Sequence, residues 1–188
     1  MAKLVDATIA ALVEAGYART SVSEICRRAG VSHGGLFRHF PTVQDLVVAA
    51  AEEVARRQTQ DFRERFEGKR GAPAAISSLR ETARQPINSV WLELLVGART
   101  DRELRRRLEP VTREHYQAIL AVARTLPRTP DVSDRTLELR VLLLLHLFDG
   151  ERLIRDIIPD SAREDALLEL VIGLLTGAPP GNATPPPA

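Results

Sequence analysis

Apolar residues recur at helical spacing along nearly the whole chain, and no stretch alternates apolar and polar residues as a half-buried strand would. In residues 3–15, for example, Val5, Ile9 and Leu12 fall on one side of a helix that stops at Gly16. Hydrophobic residues make up 44% of the 188 residues, which is enough to bury a sizeable core. The pattern therefore predicts an all-α fold.

Residues 20–46 carry the densest set of helix boundary signals in the chain. Ser21 with Glu24 three residues later has the pattern of a capping box, and Gly30 supplies a left-handed end to the same helix. Ser32 then caps a second short helix. Two short helices joined by a tight turn are typical of a DNA-binding helix-turn-helix, in which the second helix lies in the major groove. The outward positions of that second helix are His33, Gly34, Phe37, Arg38 and His39.

A long helix is predicted after this motif, from a cap at Thr42 to Gly68, and it would connect two domains. Further along, Thr100 and Glu103 have the pattern of a second capping box. The helix that begins there meets Pro110, which removes a backbone donor and clashes one turn back. We therefore expect a kink or a break just before this proline.

The last two predicted helices have more apolar surface than one core can cover. Residues 141–148 are apolar on all sides, and residues 166–175 carry two separate apolar stripes. A second copy of the same helix pair, packed as a four-helix bundle about a two-fold axis, would cover the second stripe. The alternative is a single deeply buried hairpin. The sequence thus predicts a homodimer whose interface includes Leu144, Phe148, Gly150, Leu167, Leu168, Val171, Ile172 and Leu175.

The formal net charge is only +1, so any surface for nucleic acid must be local. From Tyr17 to Phe40, four arginines oppose one glutamate, which leaves a local charge of +3. The single cysteine, Cys26, excludes an internal disulfide and a cysteine-rich zinc site, and it sits where a small core residue would pack. No charged leader and no apolar run of about 18 residues is present, so we expect a cytoplasmic protein.

The sequence lends little support to an enzyme. It has no glycine-rich phosphate loop, no nucleophile elbow and no pair of histidines around a glutamate at metal-ligand spacing. We therefore predict no catalytic residue, no metal site and no cofactor.

The segment GYARTSVSEICRRAGVSHGGLFRHFPTVQDL, residues 16–46, resembles the N-terminal signature of the TetR family of bacterial transcriptional regulators almost position for position. Beyond Val47 the resemblance is one of layout: a long connecting helix, a divergent helical ligand domain and a final dimerising pair. It implies a helix-turn-helix DNA-binding domain at residues 1–46, joined by a long helix to a helical ligand-binding and dimerisation domain at residues 47–178. The proline-rich end, residues 179–188, is predicted to be a disordered tail.

The resemblance also implies a set of DNA contacts. His33, Gly34 and Phe37 would lie near base edges, and the phosphate contacts would come from Thr20, Ser21, Gly35, Arg38 and His39. A helix N-terminus at Ser21 suits an anion, and Arg38 and protonated His39 can meet phosphate directly.

Two positions depart from the family pattern. Phe37 stands where the family usually has Tyr, and Val43 stands where it often has a phosphate-binding Lys. Fewer charged contacts imply a shallower salt dependence of DNA binding. Gly34 and Gly35 each cost about 1 kcal/mol relative to Ala in a helix. We interpret them as a sign of close backbone approach to DNA, the alternative being a merely tolerated weak helix.

Four side chains embedded in apolar helices are candidates for an effector pocket, namely Trp91, His115, Tyr116 and His146. Each is alternatively a satisfied core residue. Together with the resemblance, these four residues predict a ligand-responsive repressor. It would bind a palindromic double-stranded DNA operator as a homodimer, and a small, mostly apolar effector would release it from the DNA. The alternative is a helical dimeric interaction module that has lost DNA binding.

Overall fold

The computed structural model describes residues 1–126 and 132–177, and every regular element in those ranges is helical. The predicted all-α fold is therefore confirmed. The predicted tail at residues 179–188 lies outside the described residues. None of the described helices combines the length and the apolar character needed to cross a membrane. The elements are α1 (Ala2–Ala15), a short 3-10 helix (Tyr17–Arg19), α2 (Val22–Ala29), α3 (His33–His39), α4 (Val43–Phe66), α5 (Gly71–Ala83), α6 (Asn88–Ala98), α7 (Arg102–Arg124), α8 (Asp134–Arg155) and α9 (Ser161–Thr176).

Helix ends in the motif lie where the local sequence predicts them. The Ser21 hydroxyl accepts a hydrogen bond from the backbone N–H of Glu24 at 3.2 Å, and the Ser32 hydroxyl accepts one from Gly35 at 3.1 Å. Gly30 adopts the left-handed conformation, with φ of 66°, and ends α2. These three residues explain why two such short helices form without long hydrophobic stretches.

The structure corrects the predicted cap of α7 and excludes the break, though not the kink, expected near Leu108. Its cap is Asp101, whose Oδ1 accepts a hydrogen bond from the backbone N–H of Leu104 at 2.9 Å, so the capping box predicted at Thr100 and Glu103 is wrong. The helix also continues through Pro110, so no break occurs there. Packing on both sides of the proline outweighs the lost backbone bond, since three side chains of this stretch are buried: Leu104, Leu108 and Val111.

The described residues form two compact units. The first contains Met1–Asp61 and Gln85–Ala118, and the second contains Phe62–Arg84 and the described residues from Ile119 onward. The first unit is therefore larger than the predicted DNA-binding domain at residues 1–46, because it also takes in α6 and large parts of α4 and α7. The functional division at residue 46 stays a prediction.

In the first unit, α1 packs across the helix-turn-helix. Cys26 belongs to this core and is 4% exposed, as predicted for a small apolar residue. A second cluster joins α1, α4, α6 and α7 around the fully buried Val54, Val90 and Leu94. The core between α1 and the motif consists of Leu4, Ala7, Ala11, Ile25, Cys26, Leu36, Phe40 and Leu46.

Within the first unit, the turn after α1 lies directly against α6. Gly16 has φ of 74°, and a Cβ atom there would meet Oε2 of Glu93 at 2.6 Å. The same carboxylate accepts a hydrogen bond from the backbone N–H of Tyr17 at 2.8 Å. The Tyr17 ring lies against Gly97, where a Cβ atom would meet its Cδ1 at 2.6 Å. Both glycines are thus required for this close approach.

The second unit contains a buried ionic cluster that joins α5, α8 and α9, which the sequence analysis did not predict. Arg80 Nε donates to both carboxylate oxygens of Glu151 at 3.0 and 3.1 Å, and its Nη1 donates to Asp165 at 2.8 Å. Arg84 donates to Glu151 at 2.9 Å and to Glu164 at 2.6 Å. The side chains of Arg80 and Glu151 are only 5% and 6% exposed. Charges buried to this extent depend on their partners, and the pairing of Arg80 is not complete, since its buried Nη2 has no hydrogen-bond partner among the described residues.

The outward apolar residues of α8 and α9 differ from those predicted for a dimer interface. Leu144, Phe148 and Val171 are buried in the core of the chain itself, which leaves them little surface for a partner, and their assignment to the interface stays a prediction. Helical spacing sorts residues into stripes, but it does not say which stripe faces the chain's own core. Gly150 is exposed, and the other predicted residues, Leu167, Leu168, Ile172 and Leu175, are half-buried. The exposed large apolar residues here are Leu139, Leu143, Leu153, Ile154, Ile157, Ile158, Leu170 and Leu174.

Candidate nucleic-acid interface and small-molecule sites

Helix α3 presents a polar face to solvent because its apolar residues are spaced to reach the core. Leu36 is 0% exposed, and Phe40, directly after the helix, is 5% exposed. Phe37, by contrast, is 45% exposed. All the residues predicted to point outward are indeed exposed: His33, Gly34, Phe37, Arg38 and His39.

Two cationic or potentially cationic residues of this face are available to an anion. The side chains of Arg38 and His39 form no hydrogen bond or ion pair with any residue that the structure describes. His33 is oriented differently, because its Nε2 lies 3.3 Å from the hydroxyl of Ser23 on α2. The face therefore combines an oriented imidazole with two unpaired groups suited to phosphate.

The predicted phosphate contacts near the helix starts differ in their free donors. The Thr20 hydroxyl donates to a backbone carbonyl one turn earlier at 2.8 Å, and the N–H of Gly35 is bound to Ser32. The Ser21 hydroxyl, in contrast, only accepts a bond, from Glu24, so its own proton can still be donated. Ser21 is thus the best supported of these three predicted contacts.

Two arginines of α2 are paired within the chain. Arg27 donates to Glu24 at 2.7 and 2.8 Å, and Arg28 donates to Glu24 at 2.5 Å and to Glu14 at 2.6 Å. These bonds, led by those from Arg27, lower the pKa of Glu24 to about 2. The local charge of +3 counted along the sequence therefore includes two arginines that already have partners.

Val43 contributes to the core instead of to the surface charge. It is the first residue of α4, it is half-buried, and it packs against the cluster that joins α1, α4, α6 and α7. At this position the chain gains apolar packing and offers no cation to a phosphate.

Three of the four predicted ligand residues lie together in the first unit. The ring centroids of Trp91 and His115 are 5.0 Å apart, and those of His115 and Tyr116 are 6.4 Å apart. Trp91 and His115 are 2% and 6% exposed, and neither Trp91 Nε1 nor His115 Nδ1 has a hydrogen-bond partner among the described residues. Burial lowers the pKa of His115 to about 4, so the ring is neutral near neutral pH.

Gln58 on α4, which the sequence did not point to, forms a polar pair with Asn88 on α6 in the same unit. Gln58 and Asn88 are each 4% exposed, and Nε2 of Gln58 donates to Oδ1 of Asn88. Oε1 of Gln58 has no partner within the described ranges. Its sequence signal is an amide at helical spacing after the apolar Ala51 and Val54.

The second unit contains a cavity of about 560 Å³, and none of the four predicted ligand residues lines it. His146 lies on α8 but is exposed, and the other three belong to the first unit. Arg140, also missed, is the one charged side chain among the described lining residues; its signal is a lone arginine just before an apolar run. The apolar wall includes Phe62, Ile76, Leu79, Ile119, Val141 and Leu175.

The chain is similar to known transcriptional regulators over most of its length. Residues 4–50 match the family model of bacterial regulatory proteins of the tetR family. An HTH-type transcriptional regulator of Mycobacterium tuberculosis strain H37Rv is 37% identical over 180 residues, covering 94% of this chain and 92% of the relative. A transcriptional regulator from Rhodococcus sp. RHA1 has a similar crystal structure, with a TM-score of 0.70, 24% identity and coverage of 94% and 93%. FadR from Bacillus subtilis, solved in complex with stearoyl-CoA, has a TM-score of 0.66, 17% identity and coverage of 95% and 98%.

Proposed function

We propose that this chain, which belongs to the TetR family of bacterial transcriptional regulators, represses its promoters as a homodimer on a palindromic operator and leaves DNA when a small, mostly apolar ligand binds. The family is one of DNA-binding regulators and not of enzymes. The observation that carries the proposal is the exposed face of α3, where Arg38 and His39 have no partner among the described residues.

Base contacts are proposed for three residues of α3. His33 can donate to or accept from a base edge, and Phe37 can touch a thymine methyl group. A Cβ atom at Gly34 would meet nothing nearer than the Ser32 hydroxyl at 4.0 Å, so packing inside the chain does not require a glycine there. This supports the interpretation that the backbone at Gly34 approaches DNA closely.

Phosphate contacts are proposed chiefly for Arg38, His39 and Ser21. These residues keep free donors, whereas the donors of Thr20 and Gly35 are engaged within the chain. Since Val43 also offers no charge, few counterions would be released per subunit. Useful affinity then depends on two copies of the motif acting together.

Dimerisation is proposed through the outward faces of α8 and α9, which both pack against α5. Leu143, Leu170 and Leu174 are 54%, 49% and 74% exposed. Large apolar residues exposed on both helices indicate an interaction surface, whereas a single buried hairpin would leave no such exposed residues. We propose an interface of Leu139, Leu143, Ile154, Leu170 and Leu174, together with Gly150, Leu167, Leu168, Ile172 and Leu175.

We propose that the effector occupies the cavity of the second unit. Its volume of about 560 Å³ falls within the range of about 300–1,000 Å³ that is usual for small-molecule sites. Phe62 of α4 lines the cavity, and the same helix begins directly after the motif, so an occupant can bias the helix that follows the DNA-binding residues. FadR, which has this fold, was solved with stearoyl-CoA bound.

Ligand contact by Trp91, His115, Tyr116 and His146 stays a prediction. The unpaired Nε1 of Trp91 and Nδ1 of His115 support a polar contact at the first two, because buried groups of this kind usually have a partner. The exposed position of His146 offers no comparable support.

The test of DNA binding is a titration of a labelled duplex from the gene's own upstream region, followed by fluorescence anisotropy at several salt concentrations. We expect palindrome-dependent, salt-sensitive binding by a dimer. Replacing Arg38 and His39 together by Ala should weaken binding to every sequence and flatten the slope of log K against log salt by about 0.9 for each phosphate that is no longer neutralised. Arg113→Ala, which removes an exposed arginine on α7, is the control and should leave binding unchanged.

Size-exclusion chromatography shows whether the variants keep the same assembly. A dimer that shows no salt-sensitive, palindrome-dependent binding would support the alternative, an interaction module that has lost DNA binding. An equal fall in affinity in Arg113→Ala would show that the effect is one of total charge and not of the α3 face.

A further inference from the structure

The wall of the cavity in the second unit is almost entirely apolar. Side chains from α4, α5, α7, α8 and α9 form it, and among the described lining residues only Arg140 and Thr176 have polar side chains. The Thr176 hydroxyl already donates to the carbonyl of Ile172 at 2.8 Å. The cavity therefore offers a large apolar surface and a single charge.

Arg140 supplies that charge. Its side chain has no hydrogen bond or ion pair with any described residue. On α5, another helix of this cavity's wall, Arg80 and Arg84 both have carboxylate partners. Arg140 is half-buried, lines an apolar space and has no counter-ion among the described residues. A carboxylate would satisfy it through two parallel, charge-assisted hydrogen bonds.

Two features of the wall favour a single negative charge on the ligand. The described wall contains one cation, which balances one anion. In addition, α9 ends at the cavity, where Thr176 and its left-handed cap Gly177 are lining residues. The C-terminus of a helix carries partial negative charge, which disfavours any nearby anion and penalises a doubly charged group more than a singly charged one. A phosphate monoester, with about 1.5 to 2 negative charges at neutral pH, fits this wall less well than a carboxylate.

We infer that this cavity binds an amphiphilic carboxylate, with the carboxylate on Arg140 and the apolar tail against the leucine, isoleucine and valine side chains of the wall. The role of such a molecule as the effector rests on the proposed function. The binding site rests on the cavity and on the unpaired arginine.

Two probes that differ in their head group test this inference. Decanoate below its micellar concentration and decan-1-ol below its solubility limit are titrated into the full chain by calorimetry. We expect decanoate to bind more tightly than decan-1-ol. Arg140→Met should weaken decanoate binding about tenfold or more, as expected for removal of a charge-assisted hydrogen bond, and leave decan-1-ol binding unchanged. Arg135→Met, on the same helix but 71% exposed and outside the wall, should change neither.

The inference is overturned if the wild-type chain binds both probes equally, binds neither, or binds decyl phosphate more tightly than decanoate. It is also overturned if Arg140→Met leaves decanoate binding unchanged. If Arg140→Met abolishes the binding of both decanoate and decan-1-ol, the inference is tested with Arg140→Gln instead. Retained decan-1-ol binding with weakened decanoate binding in that variant supports the inference, and any other result overturns it.

Addition of the same probes to the protein–DNA complex separates this inference from the proposed function. Tight decanoate binding without release of DNA would overturn the proposed ligand-driven release and leave the inferred site intact. Release by decan-1-ol as effective as release by decanoate would overturn the carboxylate inference and leave the proposed function intact.

Discussion

Replacement of Glu151 by Gln should reveal how much the buried ionic cluster of the second unit stabilises the fold. Glu151 accepts hydrogen bonds from Arg80 and Arg84, and its side chain is 6% exposed. Gln keeps the shape but not the charge, so the two guanidiniums are left with Glu164 and Asp165, of which Asp165 is 67% exposed. Removal of one partner from a buried pair costs about 3–5 kcal/mol. Because Glu164 still pairs with Arg84, we expect about 3 kcal/mol, at the low end of this range.

Denaturant and thermal unfolding, followed by circular dichroism at one protein concentration, measure this destabilisation. For a chain of this length we expect a fall in melting temperature of about 6–12 °C, from about 2–4 °C per kcal/mol. Glu109→Gln is the matched control, since it makes the same change in an exposed pair with Arg113, whose side chains are 67% and 72% exposed. That control should cost less than about 0.5 kcal/mol.

Equal destabilisation by Glu151→Gln and Glu109→Gln would refute the reasoning, because the buried cluster would then contribute no more than a surface pair. A second comparison checks the cause. Replacing Arg80 and Glu151 together by Met should destabilise less than Glu151→Gln, since the double change removes both buried charges, whereas the single change leaves the buried Arg80 with Asp165, which is 67% exposed, as its hydrogen-bonded carboxylate.

Three further substitutions should act on separate features of the first unit. Gly97→Ala places a Cβ atom 2.6 Å from Cδ1 of Tyr17 and should destabilise the fold by about 1–3 kcal/mol, measured by denaturant unfolding. An unchanged midpoint of the unfolding transition would contradict this and mean that the Tyr17 ring moves aside. Gly34→Ala meets nothing nearer than 4.0 Å and should stabilise α3 by about 1 kcal/mol while weakening operator binding in anisotropy; unchanged affinity would contradict close backbone approach. His115 has a pKa of about 4 in the native chain, below the ordinary 6.5. When the pH falls from 7 to 5, the unfolded chain therefore takes up a proton that the native ring does not. The wild type should lose about 2 kcal/mol of stability over this range. His115→Phe should lack that decrease, and an equally steep pH profile in this variant would assign the titration to another group.

The helix-turn-helix could be predicted from the sequence because its signals act over a few residues. A hydroxyl at Ser21 or Ser32 caps the helix that begins beside it, and Gly30 ends the preceding one through its own backbone conformation. The outward set on α3 also follows from local spacing, since burial of Leu36 and Phe40 leaves the remaining positions exposed. The local motif signature was likewise enough to indicate the family.

The features that depend on residues far apart in the chain could not be predicted in this way. Apolar residues on several sides of α8 and α9 indicate that more than one face is covered, but the placement of Leu144, Phe148 and Val171 inside the chain's own core depends on what packs against them. The cap of α7 is a local exception: Asp101 was overlooked because Thr100 and Glu103 show the same local pattern one residue earlier. The pairing of Arg80 with Glu151 and Asp165 has no local signature, and a lone arginine before an apolar run does not by itself show that Arg140 lies unpaired in a cavity wall. Periodicity specifies that a side chain lies on a given face of its helix, whereas the partner of that face is set by packing between distant segments.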